Sequence, residues 1–537
     1  MSAAPPRSSP RPGAGTRLAA AVVVATLLFG RQIAAWTDPK NRYLFHWQSA
    51  DGVALLLGIG LLALGILAVE PALARSAGAR RHRLHEIGFL ALFTHALLAQ
   101  IQGIAGLHSF WAGLVLWVGI LTAIRRLLRR GAVWPLSGAV RACLILSPLL
   151  PILALQILSW PAVDLPEPGT APAGGPSPSD RPPVVVLVFD EWSWPRSQQD
   201  GRVRASLPHL AELAGRSLVA SHAVSPGDWT WVSLPGLLFG GPGELAVRRG
   251  GARWIAADGS ERPTREVPSL LDLAERHGYR GRLLGYYFPY RELLGAEGVV
   301  VRAYAKYPKG DNLAGAVGLA LLRNLEFWSD PISQAAWEPL DAWLSSENWR
   351  EVNQRLRADV RRELAAIDDG VLLFAHLPMP HSPFVFDRDG NYLGPYAGER
   401  SQGTPEQYEE QLRFADRVLG ESVQALRDSG RFERALLIVT SDHSWRHDVE
   451  AMRAGDPLAD RWVPLLVKWP HQSEPLVAPE PFCTVRLAPL LEAVMRSADP
   501  GPLTRDAWER LAAGGRAAAP CGVEPAVAAR RASSGAP

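Results

Sequence analysis

Two apolar runs far apart in the chain constrain its fold most: Val184-Val-Val-Leu-Val-Phe-Asp190-Glu191 and Ala435-Leu-Leu-Ile-Val-Thr-Ser-Asp442-His443. Each is rich in β-branched residues and breaks off in side chains that bind metal ions. Runs of this kind, apolar at consecutive positions, read as strands buried on both faces, the situation of an α/β sheet covered by helices. Sites in such sheets form at the carboxyl ends of the strands. Asp190, Glu191, Asp442 and His443 are therefore candidates to converge on one cation. A single strand-end carboxylate carries little weight, because an aspartate capping the next helix looks the same. Two such ends, one offering Asp-His, carry more.

The 537 residues suffice for several domains, and the apolar ones are unevenly spread. Within residues 1–160, the segments Leu18–Trp36, Gly52–Val69, Ile87–Leu107, Ser109–Ile124 and Ala142–Trp160 approach the roughly 20 residues that a membrane helix needs. Arg7, Arg11 and Arg17 precede the first segment. Arg75, Arg80, Arg81 and Arg83 separate the second from the third, and Arg125, Arg126, Arg129 and Arg130 separate the fourth from the fifth. Positive residues stay in the cytoplasm, so the expectation is a five-span α-helical membrane domain, amino terminus inside, with everything after Trp160 outside the cytoplasmic membrane. Lys40 and Arg42 run mildly against this pattern. Arg31 interrupts the first segment, either snorkelling to the interface or facing a lipid headgroup.

Residues 161–183 are rich in Pro, Ala, Gly and Ser and read as a linker. Residues 184–511 alternate strand-like and helix-like segments, as an α/β domain with a central mixed, mostly parallel sheet does. Arg280–Tyr286, Val371–His376 and Trp462–Lys468 are further strand candidates. Ser269–His277 reads as a helix stopped by Gly278. Thr404-Pro405-Glu406-Gln407 has the cap, first-turn proline and capping-box glutamine of a helix running to about Gly430. Leu313–Leu364 is helix-rich and carries several tryptophans, and reads as an insertion over the site. Residues 512–537 are dominated by Ala, Gly and Arg and predict a disordered tail. A net charge of +3 is too small to imply nucleic acid.

Between the two strand ends lies Ser225-Pro-Gly-Asp-Trp-Thr230-Trp-Val-Ser-Leu-Pro235-Gly-Leu-Leu-Phe-Gly240. Thr230 on its own reads as an ordinary helix N-cap. With the strand ends, this stretch resembles the sulfatase-like branch of the alkaline phosphatase superfamily, in which a nucleophile opens a helix and a turn ending in Gly follows ten residues later. Sulfatases place Cys or Ser at the nucleophile, followed by Pro and Arg. Thr230-Trp-Val-Ser lacks that maturation motif, so the resemblance implies phosphoryl transfer rather than sulfate-ester hydrolysis. The five-span architecture is most similar to that of membrane phosphoethanolamine transferases and lipoteichoic acid synthases.

The same resemblance assigns the rest of the site. His381, in His376-Leu-Pro-Met-Pro-His381-Ser-Pro, is implied to face the substrate beside the nucleophile, whereas His376 reads as a loop-holding residue. Asp190, Thr230, Asp442 and His443 are the implied ligands of a single divalent metal ion, zinc or manganese, with Glu191 a possible fifth. No Asp-x-x-x-His pair for a second metal exists in the chain. The family usually has Gly where Ser444 stands. Arg446 is a candidate phosphate clamp, because a guanidinium fork fits two oxygens, and His381 or His447 is the candidate proton donor. The expected reaction moves a phospho-alcohol headgroup from a phospholipid-type donor to a glycan or lipid acceptor. A phosphodiesterase using water and a catalytically decayed binding module are the alternatives. Cys143 reads as inert packing, while Cys483 and Cys521 fall in the outer part, where a disulfide would persist.

Overall fold

The computed structural model describes residues 13–76, 88–97 and 134–160 of the apolar portion, nearly all of 180–513, and Cys521, with a few isolated positions besides. It divides into two compact units. One comprises Met1–Val163 together with Pro308–Asp341, and the other Asp164–Tyr307 with Ala342–Pro537.

The second unit is built on an eight-stranded sheet. In chain order its strands are β1 (Val184–Asp190), β2 (Leu218–Val224), β3 (Arg280–Tyr286), β4 (Val300–Tyr304), β5 (Val371–Pro380), β6 (Leu436–Ser441), β7 (Leu465–Lys468) and β8 (Leu476–Cys483). Their order across the sheet is β8-β2-β7-β6-β1-β5-β3-β4. β1 lies in the centre, parallel to both β5 and β6. β7 alone runs against its neighbours, so the sheet is mixed and mostly parallel. Every residue of β1, β5 and β6 is buried, which is why these segments carry unbroken apolar runs instead of alternation.

The register brings the two predicted strand ends together. Phe189 pairs with Ser441, so Asp190 and Asp442 follow at the same edge of the sheet. On the other side Val188 pairs with His376 before the register shifts at Asp190. Side chains two residues apart on a strand share a face, so His376 lies on the face that carries Asp190.

Local signals are realised as expected. Thr404 and Gln407 form a reciprocal capping box that opens Pro405–Asp428, and Gly430 follows with φ 73°. Ser269 and Asp272 do the same for Leu270–Arg276, with Gly278 in the left-handed region. The edge strands β4 and β8, the strand β2 beside β8, and a small antiparallel sheet of Gly243–Arg248, Gly251–Ala256 and Glu261–Pro263, have no counterpart among the predicted strands. Their half-exposed positions interrupt the apolar runs that mark central strands.

In the first unit, Ala14–Trp36 and Ser49–Ala68, the latter within the helix Ser49–Ser76, are long and apolar enough to cross a membrane, and the pair Ala139–Leu146 and Leu149–Leu158, bent by 50°, adds a third span if counted as one. Gly88–Leu97 is a shorter apolar helix. The remainder of the third expected span, nearly all of the fourth, the arginine clusters at 80–83 and 125–130 (Arg126 aside), most of the 161–183 linker and most of the tail lie outside the described residues. Pro308–Asp341, expected within a continuous outer domain, groups with these helices. Arg31 is half-buried and its Nη1 donates to the Phe327 carbonyl at 2.9 Å, while the adjacent Gln32 donates to the Ala320 carbonyl at 3.1 Å.

Cys483 and Cys521 are joined by a disulfide that ties residue 521 to the end of β8, and Cys143 is free and buried. The three cysteines therefore have distinct expected reactivities. In denaturant without reductant, a maleimide should add one equivalent per chain by intact mass, and three after reduction. Three equivalents before reduction would refute the pairing.

Candidate active site

Thr230 is the first residue of the helix Thr230–Phe239, and Trp229, with extended backbone, is its N-cap. The threonine hydroxyl is thus not spent on capping its own helix. It lies instead 3.3 Å from His443 Nε2. Gly240 closes the helix at φ 65°, a left-handed cap that explains the glycine ten residues on.

His443 Nδ1 faces the Ser444 carbonyl at 2.8 Å. A proton on that nitrogen leaves Nε2 with its lone pair toward Thr230, and 3.6 and 3.5 Å from carboxylate oxygens of Asp190 and Asp442. Four of the sequence-predicted ligands, separated by more than 250 residues at the extremes, therefore meet around one point. Ser444 is not left-handed, so the family's usual glycine is not required there.

Backbone groups fix the carboxylates. Asp442 Oδ1 accepts from the N–H of His443 at 2.7 Å and of Glu191 at 3.2 Å, crossing from one strand end to the other. Its Oδ2 is buried without a hydrogen-bond partner among the described residues. The Tyr286 hydroxyl donates to Asp190 Oδ2. Ser441 Oγ, donating to the Phe189 carbonyl at 2.7 Å and accepting from the Trp192 N–H at 2.8 Å, cross-links the same two ends.

Glu191 behaves differently from its neighbour. Its backbone is left-handed, φ 65°, a conformation uncommon outside glycine. Its Oε1 accepts from Arg446 Nε at 2.7 Å. Burial alone would raise the Glu191 carboxyl, but His381, His443 and Arg446 outweigh it and hold it below the usual carboxylate range. Its charge is therefore matched by Arg446.

One residue of the cluster escaped sequence reasoning. His376, read as a loop-holding residue, offers a ring nitrogen within 4.8 Å of carboxylate oxygens of Asp190 and Asp442. Its Nδ1 meets the Tyr290 hydroxyl at 2.8 Å, its ring stacks on Tyr286 at 5.0 Å, and its Nε2 is buried with no partner among the described residues. Burial, aided by His443 and His381 and opposed by Asp442, lowers its pKa to about 4, so the imidazole is neutral. Tyr290 reaches it by lying against Gly285, where a Cβ would come 2.7 Å from the ring. The two available signals were the strand register and the tyrosines of Tyr286-Tyr-Phe-Pro-Tyr290, and neither is visible in spacing alone.

A buried oxygen and a buried imidazole nitrogen left unsatisfied beside two carboxylates are costly unless a cation joins them. The donor set, hard oxygens with imidazole, suits a divalent transition metal. The cluster therefore fits one bound divalent metal ion.

Asp190 and Thr230 also reach a cleft of about 150 Å³, with Trp229, Trp231, Tyr287, Trp349, His381 and Arg446 in its walls. His381 Nε2 takes the Arg446 Nη2 donor at 3.3 Å, and its Nδ1 faces the Ser382 carbonyl. His447 is half-buried, its pKa lowered by burial despite Glu191, and it is not among the cleft's lining residues.

A protein-family model described as Sulfatase matches residues 182–491. No curated protein matches. Solved structures similar to this chain include the phosphonate monoester hydrolase of Agrobacterium radiobacter, 16% identical over 63% of this chain and 78% of that one, TM-score 0.39. A protein of the alkaline phosphatase superfamily from Vibrio parahaemolyticus is 15% identical over 64% and 76%, TM-score 0.38. A sulfatase from Pseudoalteromonas sp. is 15% identical over 60% and 69%, TM-score 0.38. The family match takes in both strand ends, the Thr230 helix and more than half of the 537 residues, and the chain belongs to the sulfatase family of enzymes.

Proposed function

We propose that this enzyme is anchored by five membrane spans, carries its catalytic unit outside the cytoplasmic membrane, and transfers a phosphoryl-bearing headgroup with Thr230 as nucleophile. The observation that carries the reading is the Thr230 hydroxyl, at the start of a helix and 3.3 Å from His443 Nε2, above two buried carboxylates. Asp190, Asp442, His443 and His376 would hold one divalent ion, zinc or manganese. Such an ion lowers the pKa of a hydroxyl beside it and offsets charge on a phosphate.

Thr230 supplies the attacking oxygen, its hydroxyl having first lost its proton to solvent. Its bond to phosphorus forms as the bond to the leaving alcohol breaks, and the positive end of its own helix favours the phosphate oxygens there. Arg446 holds one phosphate oxygen, its guanidinium fixed beforehand by Glu191. His381, on the cleft wall, gives the leaving alcohol its proton from Nε2 once that nitrogen is protonated and released from Arg446. An acceptor hydroxyl then attacks the phosphothreonine by the reverse path. A glycan or lipid hydroxyl makes the enzyme a transferase, water a phosphodiesterase. Headgroup-labelled phospholipid separates them: label on a second molecule is the transferase outcome, and label only as free phospho-alcohol gives the hydrolase.

Thr230→Ala should lower turnover of such a donor by about 10³-fold or more while leaving bound metal nearly unchanged, since all four of these ligands remain. Undiminished turnover in purified T230A protein would remove the nucleophile.

His376, within the cluster, and Glu191, beside it, should separate by metal content. His376→Ala is expected to weaken metal retention at least about tenfold in a chelator competition read by elemental analysis, whereas Glu191→Gln should change it less and act mainly on substrate affinity through Arg446. Equal retention by wild type and H376A would return His376 to a packing role.

A further inference from the structure

The segment Pro308–Asp341 belongs to the first unit, although the chain on both sides of it belongs to the second. It meets the apolar helices first where Ser49–Ser76 begins: Lys309 Nζ donates at 2.7 Å to Asp51 Oδ2, in the first turn of that helix. The helix Leu313–Arg323 then packs along Ser49–Ser76. A methyl group added at Gly58 would stand 3.8 Å from Leu321 and 3.5 Å from Phe29. Gly58 is near the middle of the 20-residue apolar stretch Ser49–Ala68, about 13 Å from its start at a rise of about 1.5 Å per residue. Past the 3-10 turn Asn324–Phe327, Trp328 packs against a core to which Ala14–Trp36, Gly88–Leu97 and Ala139–Leu146 contribute Val24, Leu28, Phe93 and Cys143. Pro331–Ala365 leads the chain back to the second unit.

A chain that turns at such a depth needs protein partners for its backbone, because hydrocarbon offers none. The carbonyl of Phe327, at the end of the 3-10 turn, accepts from Arg31 Nη1 at 2.9 Å, and that of Ala320, in the last turn of Leu313–Arg323, accepts from Gln32 at 3.1 Å. Arg31 and Gln32, the polar interruption of the otherwise apolar Leu27–Trp36, thus meet the carbonyls of the turning segment. Leu313–Arg323 carries no polar side chain before its buried Arg323, and a helix apolar all round suits a membrane or a core. Its Leu322 is exposed, as are Val53, Leu57, Leu61 and Leu64 along one face of Ser49–Ala68.

We propose that Leu313–Trp328 is a re-entrant membrane segment: it shares the hydrocarbon layer with Ala14–Trp36 and Ser49–Ala68, turns back inside it, and presents Leu322 to lipid acyl chains. The proposal rests on the reading that those two helices cross the membrane, and is independent of the reaction assigned to Thr230.

The test uses the full chain carrying Cys143→Ala, with the Cys483–Cys521 disulfide intact, in phosphatidylcholine bilayers. Leu57→Cys, Leu322→Cys and Leu393→Cys are made singly and labelled with a nitroxide. Collisions with oxygen, which concentrates in hydrocarbon, and with a water-soluble nickel chelate are read by electron paramagnetic resonance. Labels at Leu57 and Leu322 should both collide more with oxygen, and the label at Leu393, exposed on the second unit, more with nickel. A label at Leu322 that favours nickel while the label at Leu57 favours oxygen overturns the proposal and leaves the spans standing. Nickel preference at Leu57 as well removes the spans, and the proposal with them. If Leu322→Cys does not fold, the wild-type chain is photolysed with phosphatidylcholine bearing a diazirine midway along one acyl chain. Adducts on peptides within 313–328 are the expected result, and adducts confined to the other apolar helices overturn the proposal.

Discussion

Two fully buried carboxylates at the ends of adjacent parallel strands, Asp190 and Asp442, are the constraint to which the catalytic unit is fitted. Removing such charges from water costs several kcal/mol each unless they are paired or ligate a cation. The protein answers in parts. Asp442 Oδ1 is met by two backbone N–H groups, Asp190 Oδ2 by the Tyr286 hydroxyl, and the charge of Glu191 by Arg446. What remains, an oxygen of Asp442 and a nitrogen of His376 beside His443, is the chemistry of a cation site. Thr230 borders on it because the helix it opens starts there.

This arrangement also separates the roles of adjacent residues. Asp190 and Glu191 are neighbours in sequence and both acidic, yet the left-handed turn at Glu191 sends the second carboxylate to Arg446. A single backbone conformation thus leaves Asp190 alone of the Asp-Glu pair among the candidate ligands and makes Glu191 an anchor for a guanidinium. The anchor matters because an unpaired arginine on the wall would be free to swing, whereas a paired one presents its remaining donors in a fixed direction.

The central sheet was legible in the sequence wherever a strand is buried on both faces, as in β1, β5 and β6. Edge strands were not, because one face meets solvent and the apolar run breaks. Asp190, Thr230, Asp442 and His443 were legible because each stands at the end or start of an element, where polarity changes abruptly. His376 was not: it sits within β5, two residues behind the strand-end level, and only its register against Val188 brings it under Asp190. Nor could local pattern show that Arg31 and Gln32 bond to carbonyls almost 300 positions away.

The excursion Pro308–Asp341 gives the chain an unusual connectivity. Between Tyr307 and Ala342 the polypeptide leaves one compact unit, joins the other and returns, so the two are linked by three covalent crossings. Tyr307 and Ser345, which bracket that excursion, both line the Thr230 cleft. A chain begun at residue 180 would sever just one of the crossings and carry Leu313–Arg323 without the helices that bury its Val317 and Ala320. The unit that bears the Thr230 cleft is therefore not one continuous stretch of chain: residues 308–341, which belong to the other unit, interrupt it.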